Sequence, residues 1–136
     1  MNNSSLASEY LTKAFRYLKE AKQAYEEGDL TGSIRRCYDV IQNISRALLS
    51  LYGFYTLEDH EAQMLNLIVL KASEKGVKLI RELQLYEQKL YPLLFLDESS
   101  LKSGSVIARN YEVKGLVQKA ENLFELANEV FDEFHN

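Results

Sequence analysis

The stretch GDLTGSIRRCYDVIQNISRALLSLYG, residues 28–53, has an apolar side too wide for a surface helix. At about 100° per residue, Ile34, Cys37, Ile41, Ile44, Leu48, Leu51 and Tyr52 form the centre of one stripe. Val40 and Ala47 widen it on one side, and Tyr38 and Leu49 on the other, to an arc of roughly 200°. Arg35, Arg36, Asp39, Gln42, Asn43, Arg46 and Ser50 are left for a polar face. The pattern predicts one long helix, held inside a bundle or between two chains.

Outward from this helix the pattern stays helical. Upstream, Leu6, Tyr10, Ala14, Tyr17, Ala21 and Ala24 keep helical spacing, with Leu11, Phe15, Leu18 and Tyr25 beside them, so a helix is expected from Ser5 to Glu27. Gly28 suits the left-handed residue that closes it, and Asp29 can cap the next. The two helices should form an antiparallel hairpin. Downstream, Gly53 ends the central helix, and Thr56 with Asp59 suggests a cap for a short helix from Leu57 to Ala72. Another is expected from Val77 to Leu90, with a seam of Val77, Ile80, Leu83, Leu90 and Leu94. It should end or kink at Pro92, which lacks an amide hydrogen. Asp97 to Ser105 is rich in Ser and charge, so residues 97–108 are expected to be a flexible loop. Val113, Leu116, Val117, Ala120, Leu123, Phe124, Ala127, Val130, Phe131 and Phe134 give a 3–4 pattern for a last helix from Glu112 to Phe134. With no run of strand-like alternation, the fold class is all-α: an up-and-down helical bundle of four long helices plus one short helix.

Composition bounds the function. The 136 residues favour a single domain over 1–136, large enough for its own core. A net charge of −4 argues against a broad nucleic-acid surface and leaves room for a local basic patch. The single cysteine, Cys37, lies on the apolar stripe and reads as a buried reduced thiol. The N-terminus has no basic stretch leading into an apolar one, and the run around Leu93 to Leu96 is far short of the roughly 20 residues of a membrane helix. A soluble, cytoplasmic protein with no membrane partner is the expectation.

The chain holds no metal-ligand, P-loop, dinucleotide or nucleophile-elbow motif, so no metal and no cofactor is expected. His60 stands at a helix start, where a capping or surface role competes with catalysis. Arg35, Arg36 and Arg46 share a narrow polar face. An Arg35–Asp39 ion pair at i, i+4 competes there with a phosphate-binding patch. The nine tyrosines read as core or interface residues with outward hydroxyls, and stacking on nucleobases is the rival reading.

Several signatures together resemble one family. Glu26-Glu27-Gly28-Asp29-Leu30 closes the first helix, and Arg46-Ala47-Leu48-Leu49-Ser50-Leu51-Tyr52-Gly53 closes the second. His60 opens the next, and Ala108-Arg109-Asn110-Tyr111 precedes the last amphipathic helix. This order resembles the HEPN family (higher eukaryotes and prokaryotes nucleotide-binding) over nearly the whole chain. The resemblance implies a helical bundle, commonly a homodimer, and in many members a small nucleotidyltransferase partner in a toxin–antitoxin-like pair. Other members are metal-independent ribonucleases with an Arg-x4-6-His motif, in which Arg holds the scissile phosphate while His or a polar neighbour moves a proton. Arg109 matches the arginine and Asn110 the polar residue after it. Lys114, Gly115 and Leu116 stand where the histidine belongs, and lysine is a poor proton shuttle unless its pKa is lowered.

The resulting expectation is a non-catalytic HEPN-like homodimer that partners a small nucleotidyltransferase. It would bind nucleotide or RNA through Arg109, Asn110 and Lys114, with Arg35, Arg36 and Arg46 as a secondary patch. One alternative is a metal-independent ribonuclease in which Arg109 works with a substituted proton-transfer residue, Lys114 or His60. Another is a plain helical interaction scaffold. The turn around Ala24 to Leu30 also resembles a tetratricopeptide hairpin, but no second copy follows.

Overall fold

The computed structural model describes residues 3–54, 73–100 and 110–135. Among them are four helices and no strand: α1 (Asn3–Glu26), α2 (Leu30–Leu51), α3 (Glu74–Ser100) and α4 (Asn110–Glu133). The architecture is the expected all-α bundle. The short helix expected over 57–72 lies outside the described residues.

The turn between α1 and α2 is closed by two backbone bonds. Gly28 has φ of 82°, the Asp29 amide donates to Ala24 O (2.8 Å), and the Gly28 amide donates to Tyr25 O (3.1 Å). This pairing satisfies carbonyls that α1 leaves open. Asp29 then caps α2, its Oδ1 accepting from the Gly32 amide at 2.9 Å. A side chain at Gly32 would run into that carboxylate, so a larger residue there would displace the cap. Gly53, with φ of 85°, closes α2 in the same way, and the Phe54 amide donates to Leu49 O at 2.9 Å.

Helix α2 packs against α1, α3 and α4. Its buried arc is wider than the apolar pattern: Ser33, Asn43, Ser45 and Ser50 are buried too. The pattern puts Asn43 and Ser50 on the polar face, and the structure corrects this. Each is satisfied within its own helix instead. Asn43 Nδ2 donates to Asp39 O (2.8 Å), Ser45 Oγ to Ile41 O (2.8 Å) and Ser50 Oγ to Arg46 O (2.7 Å). Ser33 Oγ donates to Ala21 O of α1 at 2.8 Å. A small polar residue bonded back to an earlier carbonyl can be buried without an orphaned group.

The seam of α1 is rotated from the expected one. Ala7, Leu11, Ala14, Leu18 and Ala21 are buried; Tyr10 and Tyr17 are only partly so, and Phe15 is exposed. Three alanines let α1 lie close on α2, and the rings stay at the flanks of the seam.

Helix α3 departs most from expectation. Ser73 caps it, its Oγ accepting from the Gly76 amide at 3.0 Å, so the helix starts at Glu74 rather than Val77. It then runs through Pro92 to Ser100. Pro92 deprives Gln88 O of its donor, but Gln88 and Pro92 are both exposed, so that carbonyl faces solvent. Buried Leu90 and Leu94 hold the helix on either side. The helix therefore does not end at Pro92, and the first four residues of the expected 97–108 loop are helical. Residues 101–108 lie outside the described residues.

Helix α4 fulfils the 3–4 pattern, with Val113, Val117, Ala120, Leu123, Ala127 and Val130 buried. Leu126 joins them, while Phe134 is exposed. Helices α3 and α4 run antiparallel. Their contacts include Lys75 Nζ–Glu129 Oε1 (3.7 Å), Glu82 Oε2–Lys119 Nζ (3.4 Å) and Tyr86 Oη–Leu116 O (2.7 Å).

Candidate functional site

Antiparallel pairing brings the C-terminal half of α3 beside the first turns of α4. Between them lies an open groove of about 520 Å³, lined by Tyr86, Gln88, Lys89, Pro92, Leu93, Glu112, Gly115, Leu116 and Lys119. It continues along α3 into a hollow of about 350 Å³ reaching Glu82 and Leu85. This size and mix, apolar walls with a few charged groups, suit a small ligand or one unit of a polymer.

Each wall follows from its sequence. Pro92 and Leu93 line the groove only because α3 does not stop at the proline. Glu112, Gly115 and Lys119 lie three and four residues apart, so they share one face of α4. Gly115 is exposed, and a Cβ there would meet nothing within 4 Å. It leaves a notch where a ligand can approach the backbone. Lys119 spans the groove to Glu82. Lys89 and Lys114 are exposed and make no ion pair among the described residues.

At the base of the groove, the Tyr86 hydroxyl donates to Leu116 O and also shares a hydrogen bond with the Cys37 thiol of α2. Burial pushes the Cys37 thiol up to about 11, against a smaller lowering by that bond. Burial likewise holds the Tyr86 phenol well above its ordinary value. Both groups keep their protons near neutral pH, so neither serves there as nucleophile or base. Cys37 is the buried free thiol the stripe implies.

Of the residues singled out in the sequence, Asn110 and Lys114 fall in the first turns of α4, one turn apart. Lys114 is exposed beside Gly115. Arg109 and His60 lie outside the described residues.

The arginines of α2 are not part of this groove. Arg36 Nη1 pairs with Asp39 Oδ2 at 2.8 Å, its Nε lies 3.9 Å from Glu20 of α1, and its guanidinium sits 5.6 Å from the Tyr17 ring centre. The bond to Asp39 raises the Arg36 pKa. The expected Arg35–Asp39 pair is thus replaced by Arg36–Asp39, because α1 supplies a carboxylate and a ring that hold Arg36 in place. Arg35 is exposed and lies about 200° round the helix from Cys37, the residue that meets α3. Arg46 is half-buried, and near it the Gln42 amide nitrogen is buried without a partner among the described residues. This face of α2 is not one open cationic patch.

Nothing in the sequence alone marks Lys89, Lys119 or Tyr86 as site residues. An isolated glycine inside a strong helical pattern, Gly115, is the one available signal. Among the described residues, no group of three His, Cys, Asp or Glu side chains could hold a metal, and no helix is long and apolar enough to cross a membrane.

Among protein families, the HEPN domain matches residues 7–133 of the chain. No curated protein and no solved structure matches it.

Proposed function

Because the chain belongs to the HEPN domain family, we propose that it is a non-catalytic subunit that binds a nucleotide or RNA in the α3–α4 groove. The family supports a nucleotide- or RNA-related function in general. One observation favours this groove within the molecule: it opens beside the start of α4, with Gly115 and Leu116 in its wall and Lys114 exposed next to them. These three positions follow Arg109 at the spacing where ribonuclease members carry histidine. Lysine supplies a point charge for phosphate. Glycine and leucine supply space and an apolar wall, and none of the three is an imidazole or carboxylate suited to moving a proton. Arg109 and Asn110 contribute a guanidinium and an amide to the same ligand in this reading.

The reading extends to assembly. The subunit forms a homodimer and pairs with a small nucleotidyltransferase in a toxin–antitoxin-like system, as family resemblance suggests. Sedimentation velocity at micromolar concentration should give a dimer, and affinity capture should recover the product of a neighbouring nucleotidyltransferase gene.

Binding is tested with labelled RNA and with mononucleotides. Lys114→Gln and Arg109→Ala should each weaken binding, and incubation with RNA should yield no cleavage. Cleavage that survives chelator and disappears in Arg109→Ala would replace this reading with a metal-independent ribonuclease. A monomer that binds none of these ligands would leave only a helical scaffold.

A further inference from the structure

The exposed side of α3 carries Lys78, Arg81, Leu85, Lys89 and Pro92. At 100° per residue these five fall within an arc of roughly 80°, so they form one stripe along the helix. Leu85 is 60% exposed. Among the described residues, Lys78, Arg81 and Lys89 make no ion pair. The neighbouring charges are already engaged, Lys75 with Glu129 and Glu82 with Lys119. Glu74, in the first turn, is the one acidic residue on the stripe among the described residues. A protein of net charge −4 therefore places three such cations in a row, spanning about 16 Å from Lys78 to Lys89.

We propose that this stripe is a track for the backbone of single-stranded RNA, which leads one unstacked base into the α3–α4 groove. The track rests on the nucleic-acid reading of that groove and adds the substrate form and its path. Three observations converge on it. The cations follow one line, as successive phosphates do. The groove opens along that line, and Lys89 belongs to both. Pro92 and Leu93 offer apolar surface to a base face, while the Gly115 notch leaves room for its edge. A duplex keeps its bases stacked and cannot deliver one to the groove, whereas a single strand can. With no exposed aromatic ring lining the groove among the described residues, binding is electrostatic in the main and tolerant of sequence.

The experiment measures affinity for a labelled single-stranded RNA against salt concentration, using the full chain, the triple variant Lys78→Gln/Arg81→Gln/Lys89→Gln, and Gly115→Leu. All three substituted positions of the triple variant are exposed, and thermal melting checks that each protein is folded. Each phosphate contact adds about 0.7 to the salt slope for single strands, so the triple variant should lose about 2 from it. Between about 50 and 200 mM salt, the unmodified chain should then lose roughly twentyfold more affinity than the variant. Gly115→Leu should weaken binding with the slope unchanged, because it fills space and removes no charge. A duplex of equal length should compete less well than the single strand.

An unchanged slope and affinity in the triple variant, with Lys114→Gln still weakening binding, would overturn the track and leave the groove reading standing. Equal competition by duplex would overturn the single-stranded form. No binding by the unmodified chain at low salt would overturn both readings. Loss of dimer in the triple variant, with RNA affinity retained, would reassign the stripe to contact with a second copy and overturn the track.

Discussion

The α1–α2 hairpin and the α3–α4 pair use helices of similar length and differ in how many polar groups they leave open, although the hairpin too has an exposed Arg35 and a Gln42 amide nitrogen with no partner among the described residues. In the hairpin, Ser33, Asn43, Ser45 and Ser50 bond back to backbone, Asp29 caps, and Arg36 is held between Asp39, Glu20 and Tyr17. Along the outer side of α3 and α4, Lys78, Arg81, Lys89 and Lys114 face water, a leucine and a proline are exposed, and a helix-interior glycine has nothing packed on it. A surface whose groups are satisfied internally contributes stability. A surface whose groups are left open is available for something else. The contrast is why binding is assigned to the second pair, and it can be attacked directly.

The largest difference should come from apolar truncation. Ile44 is fully buried in α2, so Ile44→Ala should cost about 2–5 kcal/mol of unfolding free energy, as lost burial plus cavity. Leu85→Ala on α3 should change it by less than about 0.5 kcal/mol, because that side chain is already mostly in water. Urea denaturation of both variants checks the pair. Comparable losses would mean that the outer side of α3 is packed as firmly as the buried side of α2.

The next effect is alkaline. Burial raises the Cys37 thiol from 9.0 to about 11, so between those values the unfolded chain has lost a proton that the folded chain keeps. The unfolded state binds fewer protons there, and stability falls as pH rises. The two-unit gap corresponds to about 2–3 kcal/mol lost between pH 9 and 11. Tyr86 adds a further loss starting near its ordinary value of 10.0, since burial raises it too. Urea midpoints measured across this range should fall. Cys37→Ala should remove the part that begins near pH 9 and lessen the part due to Tyr86, which burial raises first and Cys37 raises further.

Capping of α2 ranks third. Asp29→Ala removes the side-chain acceptor for the Gly32 amide and should cost about 1 kcal/mol. Gly32→Ala should cost less, because its methyl displaces the same carboxylate while alanine in a helix lowers the backbone freedom of the unfolded chain. Combining the two should cost no more than Asp29→Ala alone, since both remove one bond. A fully additive double variant in thermal or urea unfolding would show that Gly32 has a separate role.

How far these features are legible in the sequence follows the same division. The hairpin is readable because its signals are local: Gly28 and Asp29 adjoin, and the α2 stripe is continuous. Helix α4 is readable from its 3–4 spacing alone. The path of α3 through Pro92 is not, because it depends on Gln88 facing solvent and on Leu90 and Leu94 being buried against other helices. The choice of Arg36 over Arg35 for Asp39 depends on Glu20 and Tyr17, which only tertiary packing brings near. Lys114 is within reach of a family pattern at the start of α4. Lys89, Lys119 and Tyr86 are not, because the groove they line exists only when two distant segments pair antiparallel.

Gly115 gives the smallest effect and the sharpest separation of stability from binding. It sits inside α4, and a Cβ added there meets nothing, so Gly115→Ala should stabilise the protein by about 0.5–1 kcal/mol through lower backbone freedom in the unfolded chain. Proteins carry many residues that are not the most stable choice, so the melting temperature alone says nothing of a ligand and the binding measurement decides. If a ligand approaches the backbone in the α3–α4 groove, the alanine variant should melt at a higher temperature and bind RNA less tightly. If Gly115→Ala raised the melting temperature without weakening RNA binding, the notch would be unrelated to the groove's ligand. The contrast between the two helix pairs would then rest on the exposed lysines and Arg81 alone.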